Sequence, residues 1–150
     1  MRTQRITDYC VSGHILDKCF YEISEDGVES YTPDLLNEFW IGLYKDELIG
    51  CYRIHPIYGA TYEIHAFILP EHRKEHSKES GKVILKWCLD NTEMKKLVCM
   101  IPDRFKNVIG FVKSIGFVNE GCNRLSYTKD GQLWDVHHFG LTRDEIEGLV

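Results

Sequence analysis

The spacing of apolar residues changes period near residue 70, and this change constrains the fold more than any single residue does. Before it, residues 39–44 and 48–55 read as two strands around the polar turn Lys45-Asp46-Glu47, and residues 62–69 as a third strand stopped by Pro70. After it, helix and strand alternate. Residues 80–89 carry an amphipathic helix, 96–101 a short buried strand, and 105–115 a helix closed by Gly116. Residues 117–127 and 133–139 then form a hairpin about Lys129-Asp130-Gly131, and 142–149 a short helix capped by Thr142 with Glu145 at the capping-box position. Ahead of the strands, Val11, Ile15, Leu16 and Cys19 predict a helix over 8–21 that ends at Asp26-Gly27, followed by a short helical stretch over 34–38. The order α-α-β-β-β-α-β-α-β-β with a short C-terminal helix predicts an α/β (α+β) fold with one mixed, mostly antiparallel sheet flanked by helices.

A chain of 150 residues, 43% of them hydrophobic, buries a sizeable core and predicts one domain over 1–150. The formal net charge of -5 argues against broad binding to nucleic acid or to an anionic membrane, both of which need a clustered positive field. No apolar run reaches the roughly 20 residues that span a bilayer, and Met1-Arg2-Thr3-Gln4-Arg5 has no apolar stretch of a signal peptide, so a soluble protein of a cytoplasm is expected. The six cysteines, at 10, 19, 51, 88, 99 and 122, form no C-x-x-C pair and have no local histidine at zinc spacing. They are read as reduced packing residues, and no metal site is predicted.

The segment order resembles the GNAT acyltransferase superfamily, and so do the residues at its joints. Ile68-Leu69-Pro70-Glu71-His72-Arg73 matches the family's apolar-x-Pro-x-x-Arg end of strand four, and Gly116-Phe117 matches the pair that begins its sixth strand. Phe111 to Phe117, with the Asp130-Gly131 turn, is similar to divergent phage-encoded GNAT-like proteins of head morphogenesis or the internal virion. The resemblance covers roughly residues 39–147 and implies acetyl-CoA as cofactor where the family's motifs are intact.

Here several of those motifs are not intact. The family's turn after strand four, Arg/Gln-x-x-Gly-x-Gly/Ala, aims backbone amides at the CoA pyrophosphate, and in this chain it reads Arg73-Lys74-Glu75-His76-Ser77-Lys78. Large side chains fill both small positions. If the cofactor binds, the resemblance assigns its contacts to Ile68 and Leu69 for pantetheine, and to Arg73, Lys74, Lys78, Ser80 and Gly81 for phosphate. Phe105 and Val112 stand where the family places a cofactor-binding Asn and a Tyr that protonates the CoA thiolate, and with Val108, Ile109 and Ile115 they read as a core-facing stripe. Tyr127 and Tyr58 are candidate replacements for that acid, and nothing in the sequence selects either.

A base is easier to identify. Glu63, His65 and Phe67 share one face of their strand by alternation, so Glu63 and His65 are either a polar cluster on a sheet face or the residues that deprotonate an amine. His137 and His138 point to opposite faces, and Ile54-His55-Pro56 is read as the close of a strand. Tyr52, Tyr58, Trp40 and Trp134 line a protein-binding surface if exposed and belong to the core otherwise. The reading is a non-catalytic virion-assembly or internal virion protein acting through protein partners, with no cofactor. Its alternative is an acetyl-CoA-dependent N-acetyltransferase that acts on an amine by direct transfer.

Overall fold

A computed structural model, describing residues 1–150, contains β1 (Arg2–Arg5), α1 (Tyr9–Ile23), β2 (Phe39–Lys45), β3 (Glu47–Tyr58), β4 (Thr61–Ile68), α2 (Arg73–Asn91), β5 (Lys96–Pro102), α3 (Lys106–Ser114), β6 (Val118–Lys129), β7 (Gln132–Thr142) and α4 (Arg143–Leu149). The strands form one sheet in the order β1-β2-β3-β4-β5-β7-β6, antiparallel throughout except between β4 and β5. The predicted α/β (α+β) fold is therefore observed. The hairpin turns form where the polar triplets stand, with Asp46, Asp130 and Gly131 in the left-handed region.

Both faces of the sheet are covered. On one, Ile41, Leu43, Ile54, Ile64, Leu97 and Phe139 pack with Ile84, Leu85 and Cys88 of α2, Val112 of α3 and Ile146 of α4. On the other, Trp40, Cys51 and Phe67 pack with Ile15, Leu16 and Cys19 of α1, and the Trp40 and Phe67 rings stack at 5.7 Å. Four cysteines, Cys19, Cys51, Cys88 and Cys99, are buried, and burial pushes the thiols of Cys88 and Cys99 up to about 12. Cys10 and Cys122 are exposed and lie outside the packing role read for them. No helix is long and apolar enough to cross a membrane.

Four local expectations are corrected. Residues 34–38 form a turn, because Asp34 Oδ1 accepts the amides of Leu36 and Asn37 at 3.2 and 3.1 Å and Arg5 gathers the carbonyls of Leu35, Leu36 and Glu38. Arg5 is free to do so from β1, an edge strand that was not predicted. β3 continues through Pro56 to Tyr58, since β2 stops pairing at Ile54 and the missing proline amide costs no ladder bond on that side. The largest change is at α2, which starts at Arg73 instead of Ser80: a 3₁₀ turn over Pro70–His72 runs straight into it. With no glycine between Arg73 and Ser80, the segment has nothing to hold it out of the helix.

Candidate functional site

β4 and β5 pair only at Thr61–Lys96, Tyr62–Leu97 and Glu63–Val98, and beyond these three positions they diverge. Ala66 shows the consequence, being exposed although its strand is the fourth of seven. The gap opens into a cavity of about 460 Å³ that passes through the sheet. Twenty of its 24 lining residues are apolar. Phe20, Ile23 and Tyr31 wall the α1 side, and Phe105, Val108 and Phe111 the α3 side. A broader surface hollow of about 530 Å³ lies between Met1, α2 and Val150, away from the strand gap.

Beside the α1 end of the cavity, the tip of the β6–β7 hairpin is bonded to the end of α1 and the turn after it. Lys129 Nζ donates to the carbonyls of Tyr21 and Ser24 at 3.0 and 2.6 Å, placing a cation at the C-terminus of α1. The Asp26 carboxylate accepts the amides of Asp130 and Gly131 at 3.0 and 2.9 Å, and those two bonds hold its pKa below the usual range. The Tyr127 hydroxyl lines the cavity but donates to the Ile23 carbonyl. Burial pushes this phenol up to about 12. Tyr58 is 71% exposed at the end of β3.

Of the residues assigned to a cofactor, most are engaged elsewhere. The Ile68 carbonyl accepts from Arg73 Nε at 2.9 Å and from the Cys19 thiol at 3.4 Å, and the Leu69 amide donates to Ile49 at 3.0 Å. Arg73 spends its remaining nitrogens on Glu22, with two contacts of 2.9 Å. Ser80 is buried and bonds Tyr52 and the Ser77 carbonyl. Gly81 is a packing residue, as a Cβ there would come within 3.1 Å of Ile115 and 3.3 Å of Phe111. Neither lies at the helix start, so the reading that placed them there is corrected. Lys74 and Lys78 are exposed one turn apart on α2.

The start of α2 offers little to a diphosphate. Pro70 has no amide hydrogen, His72 donates to Leu69 and Arg73 to Pro70 within the 3₁₀ turn, and Glu71 and Glu75 stand beside them. The amides of His72 and Arg73 are thus bonded within the turn, while Lys74 and Lys78 stand exposed just beyond it. The apolar cavity behind them is open, while Val112 is buried in the core and Phe105 packs edge-on to Tyr127 at 6.3 Å. Val108, read as core, is 39% exposed and faces the cavity.

Glu63 and His65 do come together, with His65 Nε2 against Glu63 Oε1 but without hydrogen-bond alignment. Burial pushes the Glu63 carboxyl up, yet His65, His55 and Arg53 together outweigh it and hold the group below its ordinary range. It is an anion with reduced basicity. Two of these neighbours are cross-strand partners that local spacing does not reveal: His55 opposes Glu63 and Arg53 opposes His65. Arg53 forms a fork with Glu38, at 3.0 and 2.5 Å, beneath the Tyr31 ring. The alternation of Arg53 and His55 on β3 was the available signal. His137, on the last strand, pairs instead with Asp103 at 2.8 Å. Among the four aromatics, Trp40 and Tyr52 are buried, Trp134 is half-buried under Arg104, and Tyr58 is exposed.

The family described as "Protein of unknown function (DUF2824)" matches residues 8–150. Among curated proteins none matches the chain in sequence. Similar solved structures include spermidine N-acetyltransferase from Vibrio cholerae in complex with CoA and spermine, 15% identical, covering 97% of each chain at a TM-score of 0.80. A chimera of that enzyme, SpeG, with hSSAT is also 15% identical, covering 98% of this chain and 99% of its own at 0.81. A Streptococcus mutans protein, smu.2055, is 11% identical, covering 95% and 99% at 0.78. At such identities the likeness shows the fold alone, and that fold is the GNAT fold.

Proposed function

The chain belongs to the DUF2824 family of proteins of unknown function, and on a GNAT scaffold altered in this way we propose that it works without acetyl transfer, receiving an apolar segment of a protein partner in the cleft between β4 and β5. One contrast carries this reading: the amides of His72 and Arg73 and the Arg73 guanidinium are bonded within the protein, whereas the strand gap remains an open, apolar cavity. The setting is virion assembly or the internal virion, following the resemblance of residues 111–117 and the Asp130-Gly131 turn to phage proteins. A net charge of -5 leaves nucleic acid and anionic membranes out of the proposal. Calorimetry with acetyl-CoA tests it. No heat of binding at millimolar ligand is expected, and micromolar binding that disappears in Lys74→Glu/Lys78→Glu would overturn it.

A second reading, amine acetylation with acetyl-CoA, draws support from Glu63 and His65, which lie where β4 and β5 part, His65 also lining the cavity. The neighbour solved with CoA and spermine makes a polyamine a reasonable amine to try. Acetyl transfer by the wild-type chain that falls at least about 100-fold in Glu63→Gln, the range of general-base loss, would favour this reading. No transfer by the wild type would remove it.

A further inference from the structure

The two strands of the β3–β4 hairpin bring three donor side chains to one spot. His55 and Glu63 are directly opposed in register, and His65 follows Glu63 by two residues on the same face. One ligand atom from each of the three lies within 4.8 Å of the others. The site is sheltered: the Glu63 side chain is only 12% exposed and that of His65 30%. His55 Nε2 is buried without a hydrogen-bond partner, and His65 Nε2 is buried with only a misaligned contact to Glu63 Oε1. A buried nitrogen without a well-aligned partner costs free energy, and two such atoms beside one carboxylate point to a ligand they share.

We infer that His55, Glu63 and His65 form a binding site for a divalent transition-metal ion of the zinc type. Two imidazole nitrogens and one carboxylate are a donor set that zinc accepts, and small rotamer changes bring atoms already within 4.8 Å to the spacing of a shared ion. The local charge is suitable. The Arg53 cation near the site is paired with Glu38 through its fork, and the Glu63 carboxylate is the anion among the three donors. Three protein ligands leave one tetrahedral position open. Because His65 also lines the cavity, a carboxylate or imidazole entering the cleft would complete the sphere. This inference does not depend on either reading of the function.

The experiment uses the full chain stripped with chelator and titrated with Zn²⁺ by calorimetry, with Co²⁺ as the spectroscopic probe. One ion per chain is expected, with the visible absorption of low-symmetry cobalt. His55→Ala and His65→Ala should each weaken binding by at least about 100-fold, beyond the 10–100-fold typical of outer-shell changes. His137→Ala, which alters the separate pair with Asp103, should bind as the wild type does. His65→Asn keeps a polar side chain of similar size and guards against loss of fold in the alanine variants, each checked by circular dichroism. Absence of saturable binding by the wild type overturns the inference. So does binding that survives both His55→Ala and His65→Asn, or that is lost equally in His137→Ala.

Discussion

Ala66 is the position at which the open cleft makes its most specific demand. A central strand ordinarily buries both faces, so an exposed alanine there reflects the missing neighbour strand. Ala66→Leu adds three carbons facing a cavity of about 460 Å³, far more room than they need. At about 0.8 kcal/mol per buried methylene the limit is about 2.4 kcal/mol, and partial burial in an open cleft reduces it to about 1.5 kcal/mol of added stability. For a chain of this size that corresponds to a rise of roughly 3–6 °C in Tm. Thermal unfolding followed by circular dichroism reads the first effect, and titration with an apolar fluorescent dye reads the second, an affinity several-fold weaker than wild type. A lower Tm with unchanged dye binding would refute the reasoning, because overpacking destabilises only where space is already filled.

Two further predictions rest on other parts of the sheet. A Cβ at Gly50 would collide with the Phe67 carbonyl and lie 2.7 Å from Ile68 Cα, both backbone, so Gly50→Ala should cost about 3 kcal/mol in denaturant unfolding; Gly140→Ala meets only the movable ends of Glu120 and Lys96 and should cost less than about 1 kcal/mol. Burial pushes the Glu38 carboxyl up, but its bonds to Arg53 and Trp40 hold it below the ordinary range. Its contribution is therefore complete above the unfolded carboxylate pKa, about 4.3, and is lost as pH falls through the depressed folded value. Stability measured from pH 7 to 3 should drop less steeply in Glu38→Gln than in the wild type.

Long periodic segments were readable from sequence because their apolar spacing is a local property. The hairpins at Asp46 and Asp130 and the Thr142–Glu145 cap formed where their residues stand. What escaped was set by distant partners. β1 has no apolar pattern of its own and exists through pairing with β2. The early start of α2 follows from Pro70 turning the chain directly into residues with no glycine to break them. At the site, Glu63 and His65 were legible as one face of a strand, whereas His55 and Arg53 joined them only through register across a hairpin. The second-face position of Tyr31 and Phe20 required the packing of α1.

The three-residue contact between β4 and β5 divides the sheet mechanically into two plates. One consists of β1 to β4 with α1 packed upon it, the other of β5, β7 and β6. The plates are joined again by the core they share beneath α2 and, on the other face, where Asp26 and the end of α1 hold the Lys129–Gly131 turn. The two sides of the cleft are therefore tied, on the α1 face, by bonds between residues about a hundred positions apart in the chain, so the shape of the opening is set by contacts that no local segment supplies.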